Sequence, residues 1–464
     1  MQVFDTLTKK THEFVPLNKD HVNFYHCGPT VYWTQQIGNM FAMVMADLVY
    51  RTLVYNRYNV SMARNYTDVG HLTGDNEGDA DAGIDRMEKA AKRDKKTPEA
   101  IAAYYIEEFD KHTALLNIIT PTFTPKATDH IADMIDLVEI LIEKGFAYQT
   151  DLAIYFDISK KEDYTKLSGQ DLSEQRSGAG HGDVADPDKR DPRDFSVWFF
   201  KAGQHANALQ TWDNPFSDKQ GFPGWHVECS AMINTLLVDS IDLHMGGIEH
   251  IPVHHTNEIA QSESAYGTPF VQYWLHNEHL LVDGHKMGKS AGNAFTVDDI
   301  IKKGFDPLDL RYFFLQAHYR SKQNFTWEAL EASRAARKKL TSKIAQLSDG
   351  GTLDENAVKE FRSRISQDFS IPQGLAYVYN VLSSDLSDAD KKATILNFDA
   401  VLGLDLDKKS ETMVIPDKVL EIAEKRLLAR ASKDWALSDT LRDQILDLGY
   451  IIKDTSDGYS FEQK

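Results

Sequence analysis

The sequence predicts an α/β protein built on a parallel sheet, interrupted by an insertion and followed by a mainly helical C-terminal region. Three observations predict it. The chain opens in strand–loop–helix–strand order, over residues 21–27, Gly38 to Leu53, and 58–66; strands joined through a helix make parallel βαβ units. Residues 160–194 carry little apolar content and read as a loop-rich insertion. After Phe325 the chain has long helical periodicity and few glycines.

Composition bounds the function. The chain has 464 residues, 51 basic against 70 acidic, a net charge of −19, and is 42% apolar. That is enough for a sizeable core and about three domains as a prior. No apolar run approaches the roughly 18 residues of a membrane span, and MQVFDTLTKKTHEF lacks the apolar segment of a secretion signal. The acidic total argues against a protein that coats nucleic acid non-specifically, though not against one that grips a single nucleic acid through a basic face. Two cysteines make no disulfide framework and fit a reducing cytosol.

Taken in order, the strand at 21–27 ends in Cys27-Gly28-Pro29, so the thiol sits at the C-terminal end of a strand, where open α/β sheets build their sites. Gly38 to Leu53 has helical apolar spacing and opens after a glycine-containing turn. Residues 71–95 are charged, rich in Asp and Gly, and read as a surface excursion; 97–118 and 128–146 read as helices. Order returns at Phe195–Phe200 after the insertion, and a strand and a helix follow around Ser240–His244 and His254–Ala265. The last region carries a basic run, Arg334, Arg337, Lys338, Lys339 and Lys343, which by itself also reads as a solvated helix face.

Several residue groups carry chemistry. IPVHHTNEIAQSESA reads as a helix after Pro252, with His254 and Glu258 four apart on one face. A histidine and a carboxylate at that spacing make half a metal site, and His255 with Glu258 is also allowed geometrically. Cys229, after Trp225-His226, and Cys27 would complete a four-ligand set soft enough to favour zinc over magnesium or calcium. Spacing alone does not bring the four together. KMGKS, Lys286 to Ser290, puts two lysines in a glycine-rich loop, able to place two ammonium groups on a polyphosphate. Gly246-Gly247-Ile248-Glu249 follows Asp242-Leu243-His244; glycines at a strand end admit a ligand, and the carboxylate can hold ribose hydroxyls. Each group alone also reads as an ordinary turn, helix face or core residue.

Together, CGPTVY, RNYTDVGHL, DFSVWFF, GFPGWHVECSAM, DLHMGGIEHIPVHHTNEIAQSES, YWLHNEHLLVDGHKMGKS and KDWALSDTLRDQILDLGYIIKDTSDGYSF resemble the cysteinyl-tRNA synthetases of class I, over essentially the whole chain. The resemblance implies a class I Rossmann-like parallel sheet with an inserted connective domain and a helical C-terminal domain. Residues 1–120 would be the first half of the catalytic domain, 121–194 the insertion and 195–275 the second half. Residues 276–325 would be the lysine-loop region that contacts the tRNA stem, and 326–464 the anticodon-binding domain. It implies one Zn²⁺ per chain on Cys27, Cys229, His254 and Glu258, which settles the choice between His254 and His255. It further implies ATP with Mg²⁺ and L-cysteine as substrates, tRNA(Cys) as partner, and a cytoplasmic monomer free of the membrane.

In that reading Lys286 and Lys289 stabilise the departing pyrophosphate, Glu249 holds the ribose, and Thr67, Trp225 and His244 line the amino-acid site. Gln36, Gly38 and Asn39 occupy the nucleotide motif, and here the sequence departs from the family. The usual His-Ile-Gly-His or His-Ile-Gly-Asn reads Gln36-Ile37-Gly38-Asn39. Gln36 can donate through its amide but carries no positive charge. Gly288 replaces the serine usual in the lysine loop, which loosens the backbone there. A non-catalytic paralogue, and a ligase joining activated cysteine to an amino sugar, are the rival readings; the retained lysines weigh against the first and the long helical C-terminal region against the second. Trp435 reads either as a core aromatic, the commoner fate, or as a base-stacking one.

Overall fold

The computed structural model describes residues 1–19, 21–69, 86–171, 186–288, 292–408, 416–455 and 458–463. The chain divides into two compact units, Met1–Asp407 and Lys408–Lys464.

The first unit is organised by a four-stranded parallel sheet. In chain order its elements are strand β1 (His21–His26), helix α1 (Ile37–Tyr55), strand β2 (Asn59–Arg64), helix α2 (Pro98–Leu115), helix α3 (Trp225–Leu236), strand β3 (Ile241–Gly247), helix α4 (His254–Tyr266) and strand β4 (Val271–Asn277). The spatial order is β4-β3-β1-β2. The β1–α1–β2 crossover goes one way and β3–α4–β4 the other, so the order reverses between β1 and β3, where such sheets bind ligands. Strand alternation sorts the two faces. Val22 and Phe24 pack with Met40, Phe41, Val44 and Leu48 of α1. Tyr25 and Cys27 pack with Cys229 and Ile233 of α3 and Ile259 of α4.

Helix α1 is long and apolar enough to cross a membrane by length and composition, contrary to the expectation that no segment approaches this. Most of its length is buried inside the fold, as in a core helix. It carries a buried charge cluster. Asp47 Oδ2 accepts from Arg51 Nε at 2.8 Å and from Arg311 Nη2 at 2.6 Å. Arg311 belongs to helix α5 (Pro307–Phe314); it also donates to the carbonyls of Leu116 and of Leu402, the last residue of helix α6 (Asp388–Leu402). One carboxylate thus joins α1 to α5 and, through Arg311, to the end of α6. Asp47→Ala strands two guanidiniums in the core, and chemical denaturation should show a loss of about 3–5 kcal/mol.

Three elements depart from the sequence expectations. Within the 71–95 stretch, Arg86–Asp94 is a helix, anchored where Arg93 lies over the Trp33 ring at 4.2 Å. An antiparallel sheet of Ala147–Gln149, Ala153–Phe156, Phe195–Phe200 and Gly221–Pro223 runs past residue 194, because the wholly buried Phe195–Phe200 pairs with Ala153–Phe156. The helices from Trp327 to Leu402 share one core with α1 through Leu330, Ile344, Phe361 and Phe398, so the break between units falls after Asp407, not at 325.

The second unit holds helices Asp417–Ala431 and Trp435–Asp447 and an antiparallel pair, Tyr450–Thr455 with Gly458–Gln463. Val419, Ala423, Ile445 and Ile452 form its core. Arg426 Nη1 donates to Asp454 Oδ1 at 2.7 Å. Trp435 is 57% exposed, contrary to the core placement expected, because it starts its helix on the open side, over Arg430.

Candidate active site and metal centre

The C-terminal ends of β1 and β3 gather most of the candidate residues. Cys27 directly follows β1, Cys229 lies on α3, and His254 and Glu258 lie one turn apart on α4. All four are buried, and their ligand atoms fall within 4.8 Å of one another. His254 Nε2 is 2.6 Å from Glu258 Oε1, and its Nδ1 is 3.0 Å from His226 Nδ1. An imidazole held at one nitrogen presents the other to a metal in a fixed direction.

A second set, Cys27, His244, His255 and Glu258, meets the same distance criterion. His255 Nε2 is 3.4 Å from Cys27 Sγ, its Nδ1 is 2.7 Å from His276 Nε2, and His276 Nδ1 is 2.9 Å from Thr6 Oγ1. His244, expected at the amino-acid site, is wholly buried with Nε2 2.7 Å from Glu258 Oε2. Sequence reasoning missed His226, His250 and His276; the density of histidines in DLHMGGIEHIPVHH was the available signal for His250 alone.

The electrostatics suit a cation. Burial works against ionising Glu258, but His244 and His254 outweigh it and hold the carboxyl well below its usual range. Burial likewise opposes a proton on His254, yet Glu258 and Cys229 raise it to about 10. The hydrogen bond with Cys27, against burial, lowers the Cys229 thiol to about 6, while burial pushes Cys27 up. The shifts thus favour negative charge on Glu258 and Cys229 and positive charge on His254. Two sulfurs, an imidazole nitrogen and a carboxylate oxygen are the donors zinc takes, so the residues fit it.

Glycine makes the approach possible. A Cβ at Gly28 would land on the Asn65 backbone carbonyl, and the Gly28 amide donates to Asn65 Oδ1 at 2.8 Å. The loops CGPTVY and RNYTDV are zipped further by Thr67 N to Pro29 O and Val31 N to Thr67 O. Thr67 Oγ1 accepts from Asn65 Nδ2 at 3.0 Å and donates to Glu228 Oε2 at 3.4 Å. Gly28→Ala should force these loops apart, lowering stability by about 1–3 kcal/mol, and metal retention on dialysis should fall with it. Trp225 opens α3 with its ring stacked on His254 at 4.5 Å, and Glu249 lies 3.7 Å from His279 Nδ1.

The lysine loop adjoins the start of α1. Ile37 N donates to Phe295 O at 2.8 Å, and Gln36 bridges Thr296. A Cβ on Gly38 would lie 3.5 Å from Met287 Cε. Gln36 caps α1, its backbone N–H donating to Asn39 Oδ1 at 3.1 Å. Lys286 is exposed, at the end of a two-residue strand paired with Leu281–Val282. Asn293 clamps the loop, accepting from Gly288 N at 2.9 Å and donating to Lys286 O at 3.3 Å; this tethers the glycine expected to loosen it. Lys289 lies outside the described residues.

A class I parallel sheet, a soft four-ligand set and a lysine loop against the first turn of α1 now stand together. The profile described as "tRNA synthetases class I (C) catalytic domain" matches residues 13–335. "Cysteine--tRNA ligase 1" of Burkholderia lata is 40% identical over 99% of this chain and 96% of its own length. The chain belongs to the class I cysteinyl-tRNA synthetase family. "Cysteine--tRNA ligase" of Treponema denticola is 36% identical over 98% of both chains, and that of Chlorobaculum tepidum 37% over 100% and 99%. A Mycobacterium tuberculosis methionyl-tRNA synthetase bound by methionyl-adenylate shares the fold of this synthetase, with a TM-score of 0.55 at 14% identity over 83% of this chain and 90% of that one.

Proposed function

We propose that the synthetase activates L-cysteine with ATP and transfers the cysteinyl group to the 3′ end of tRNA(Cys), with zinc selecting the substrate's thiolate. The observation that carries this reading is the convergence of Cys27, Cys229, His254 and Glu258 beside the sheet's reversal point. That set offers two sulfurs where the alternative offers one, which suits zinc better. Zinc supplies a Lewis acid with affinity for a thiolate and little for a neutral alcohol.

The chain's own residues do the rest. Glu258 and His254 are oriented by His244 and His226. Trp225 walls the amino-acid site, with Thr67 beside it. Gly38 lets the adenine approach the start of α1, Asn39 holds that turn, and Glu249 binds the ribose. Magnesium travels with the triphosphate. The cysteine carboxylate attacks the α-phosphorus in line, and the bond to the β-phosphate oxygen breaks. Lys286 and Lys289 neutralise the departing pyrophosphate, with Gln36 donating to a phosphate oxygen.

The four candidate ligands meet within one chain, which supports reading the synthetase as a monomer. Two free thiols this close suit a reducing cytosol. Residues 276–325 and the exposed Lys338, Lys339 and Lys343 are offered to the tRNA stem. Arg337 is instead committed to Asp306 and Asp309. The unit after Lys408 is offered to the anticodon. Cysteine-dependent ATP–pyrophosphate exchange and charging of tRNA(Cys) test the reading, with serine as control. Exchange that ignores cysteine, or exchange without charging, defeats it.

A further inference from the structure

Assigning zinc to Cys27, Cys229, His254 and Glu258 leaves His255 with no task in this mechanism. Its side chain is wholly buried on α4, with Nε2 3.4 Å from Cys27 Sγ. Gly246 of β3 makes room for the ring, because a Cβ there would lie 2.9 Å from that nitrogen and 2.7 Å from His255 Cε1. The other side of the ring is held. His255 Nδ1 is 2.7 Å from Nε2 of His276, a buried residue of β4 and the cross-strand partner of Gly246. His276 Nδ1 is 2.9 Å from Thr6 Oγ1. Thr6 is half-buried and pinned in turn. Its N–H donates to Trp274 O at 2.9 Å, and the neighbouring Asp5 Oδ1 accepts from Trp274 N at 2.9 Å. A line of three polar contacts therefore runs from the residue after strand Gln2–Asp5 to a candidate ligand sulfur.

Hydrogen bonds in series fix one another's direction. A metal-bound thiolate carries no proton, so it only accepts. His255 must then donate to it through Nε2. Burial holds both imidazoles neutral, so each has one N–H to give. His255 Nδ1 accordingly accepts from His276 Nε2, and His276 Nδ1 accepts from the Thr6 hydroxyl, which can donate. A metal on His255 itself would run the line the other way and end with Thr6 as acceptor.

We propose that Thr6 is a positioning residue of the zinc centre, fixing an N–H of His255 on the Cys27 sulfur through His276. This rests on the zinc assignment made above. A donor on a thiolate draws charge from it, so the sulfur gives less to the metal. The metal then keeps more of its Lewis acidity for the incoming substrate thiolate, and the same contact holds the sulfur's orientation.

The test compares wild type, Thr6→Val and Thr6→Ser in the full chain, loaded with Zn²⁺ or with Co²⁺ in its place. Valine removes the hydroxyl at nearly the same shape, and serine keeps it. Zinc affinity by chelator competition is expected to fall about tenfold in Thr6→Val. The sulfur-to-cobalt charge-transfer band should move to longer wavelength, because a thiolate without its donor gives up electron density more readily. The cysteine KM in ATP–pyrophosphate exchange should rise about tenfold, with kcat within about threefold. Thr6→Ser should restore all three. Wild-type zinc affinity and an unmoved band in Thr6→Val overturn the inference and leave the zinc assignment standing. So does a melting temperature that falls while the band stays put, since lost packing alone would do that. A band shift that serine fails to reverse overturns it as well. A wild type that takes up no zinc, or that keeps it tightly after Cys229→Ser, defeats the zinc assignment itself.

Discussion

Cys229→Ser is expected to strip zinc from the protein and to cut its preference for cysteine over serine sharply. The substitution is nearly isosteric at a buried position, so the backbone of α3 has little reason to move. What changes is the donor. A thiol already lowered to about 6 gives way to an alcohol that stays protonated at neutral pH and is a poor zinc ligand. Metal content should fall from about one per chain to near zero. Removing an orienting partner of a ligand costs 10–100-fold, so removing the ligand should lower kcat/KM for cysteine in exchange by about 10³-fold, roughly 4 kcal/mol. Selectivity over serine should drop towards the ~100-fold of a pocket without a specific ligand. Metal analysis and exchange with both amino acids check this. Full discrimination persisting without metal would sink the zinc assignment.

Lys286→Ala is expected to cut adenylate formation by about 100- to 1000-fold while leaving the fold intact. The side chain is exposed, on a two-residue strand whose backbone is held by Leu281–Val282 and Asn293. Its loss should therefore change stability by no more than about 0.5 kcal/mol. The ammonium matters when pyrophosphate leaves with its charge, so the effect belongs in kcat, with cysteine binding and zinc unaffected. Single-turnover adenylate formation alongside thermal unfolding separates the two quantities. An equal fall in both would show that Lys286 holds the loop's structure instead.

Much of the architecture was legible from local pattern. The alternation in His21–His26 and Asn59–Arg64, the periodicity of α1 and the turn after Cys27 are properties of short segments, and they placed the elements of the sheet within a few residues. The insertion's edge was harder to see. Phe195–Phe200 is apolar on both faces, as a parallel core strand would be, yet it belongs to an antiparallel sheet. One of its partners, Ala153–Phe156, lies some 40 residues upstream, and pairing over that distance leaves no mark in the segment itself. The helices after Phe325 posed the same difficulty, because their periodicity is the same whether they join the core of α1 or stand apart.

By itself the sequence determined the chemistry available: two sulfurs, a His–Glu pair one helical turn apart, a lysine loop, and a nucleotide motif with glutamine for histidine. Only the tertiary structure decided which of these meet. Cys27 and Cys229 stand 202 positions apart in the chain, and the β1–β3 pairing with α3 and α4 on one face brings their sulfurs within 4.8 Å of each other. The structure also put His244 and His226 against the candidate ligands Glu258 and His254, and His26 on the opposite face of the same strand. Side-chain type is local information, whereas a site is made by distances, and those follow from strand order and helix packing summed over the whole chain.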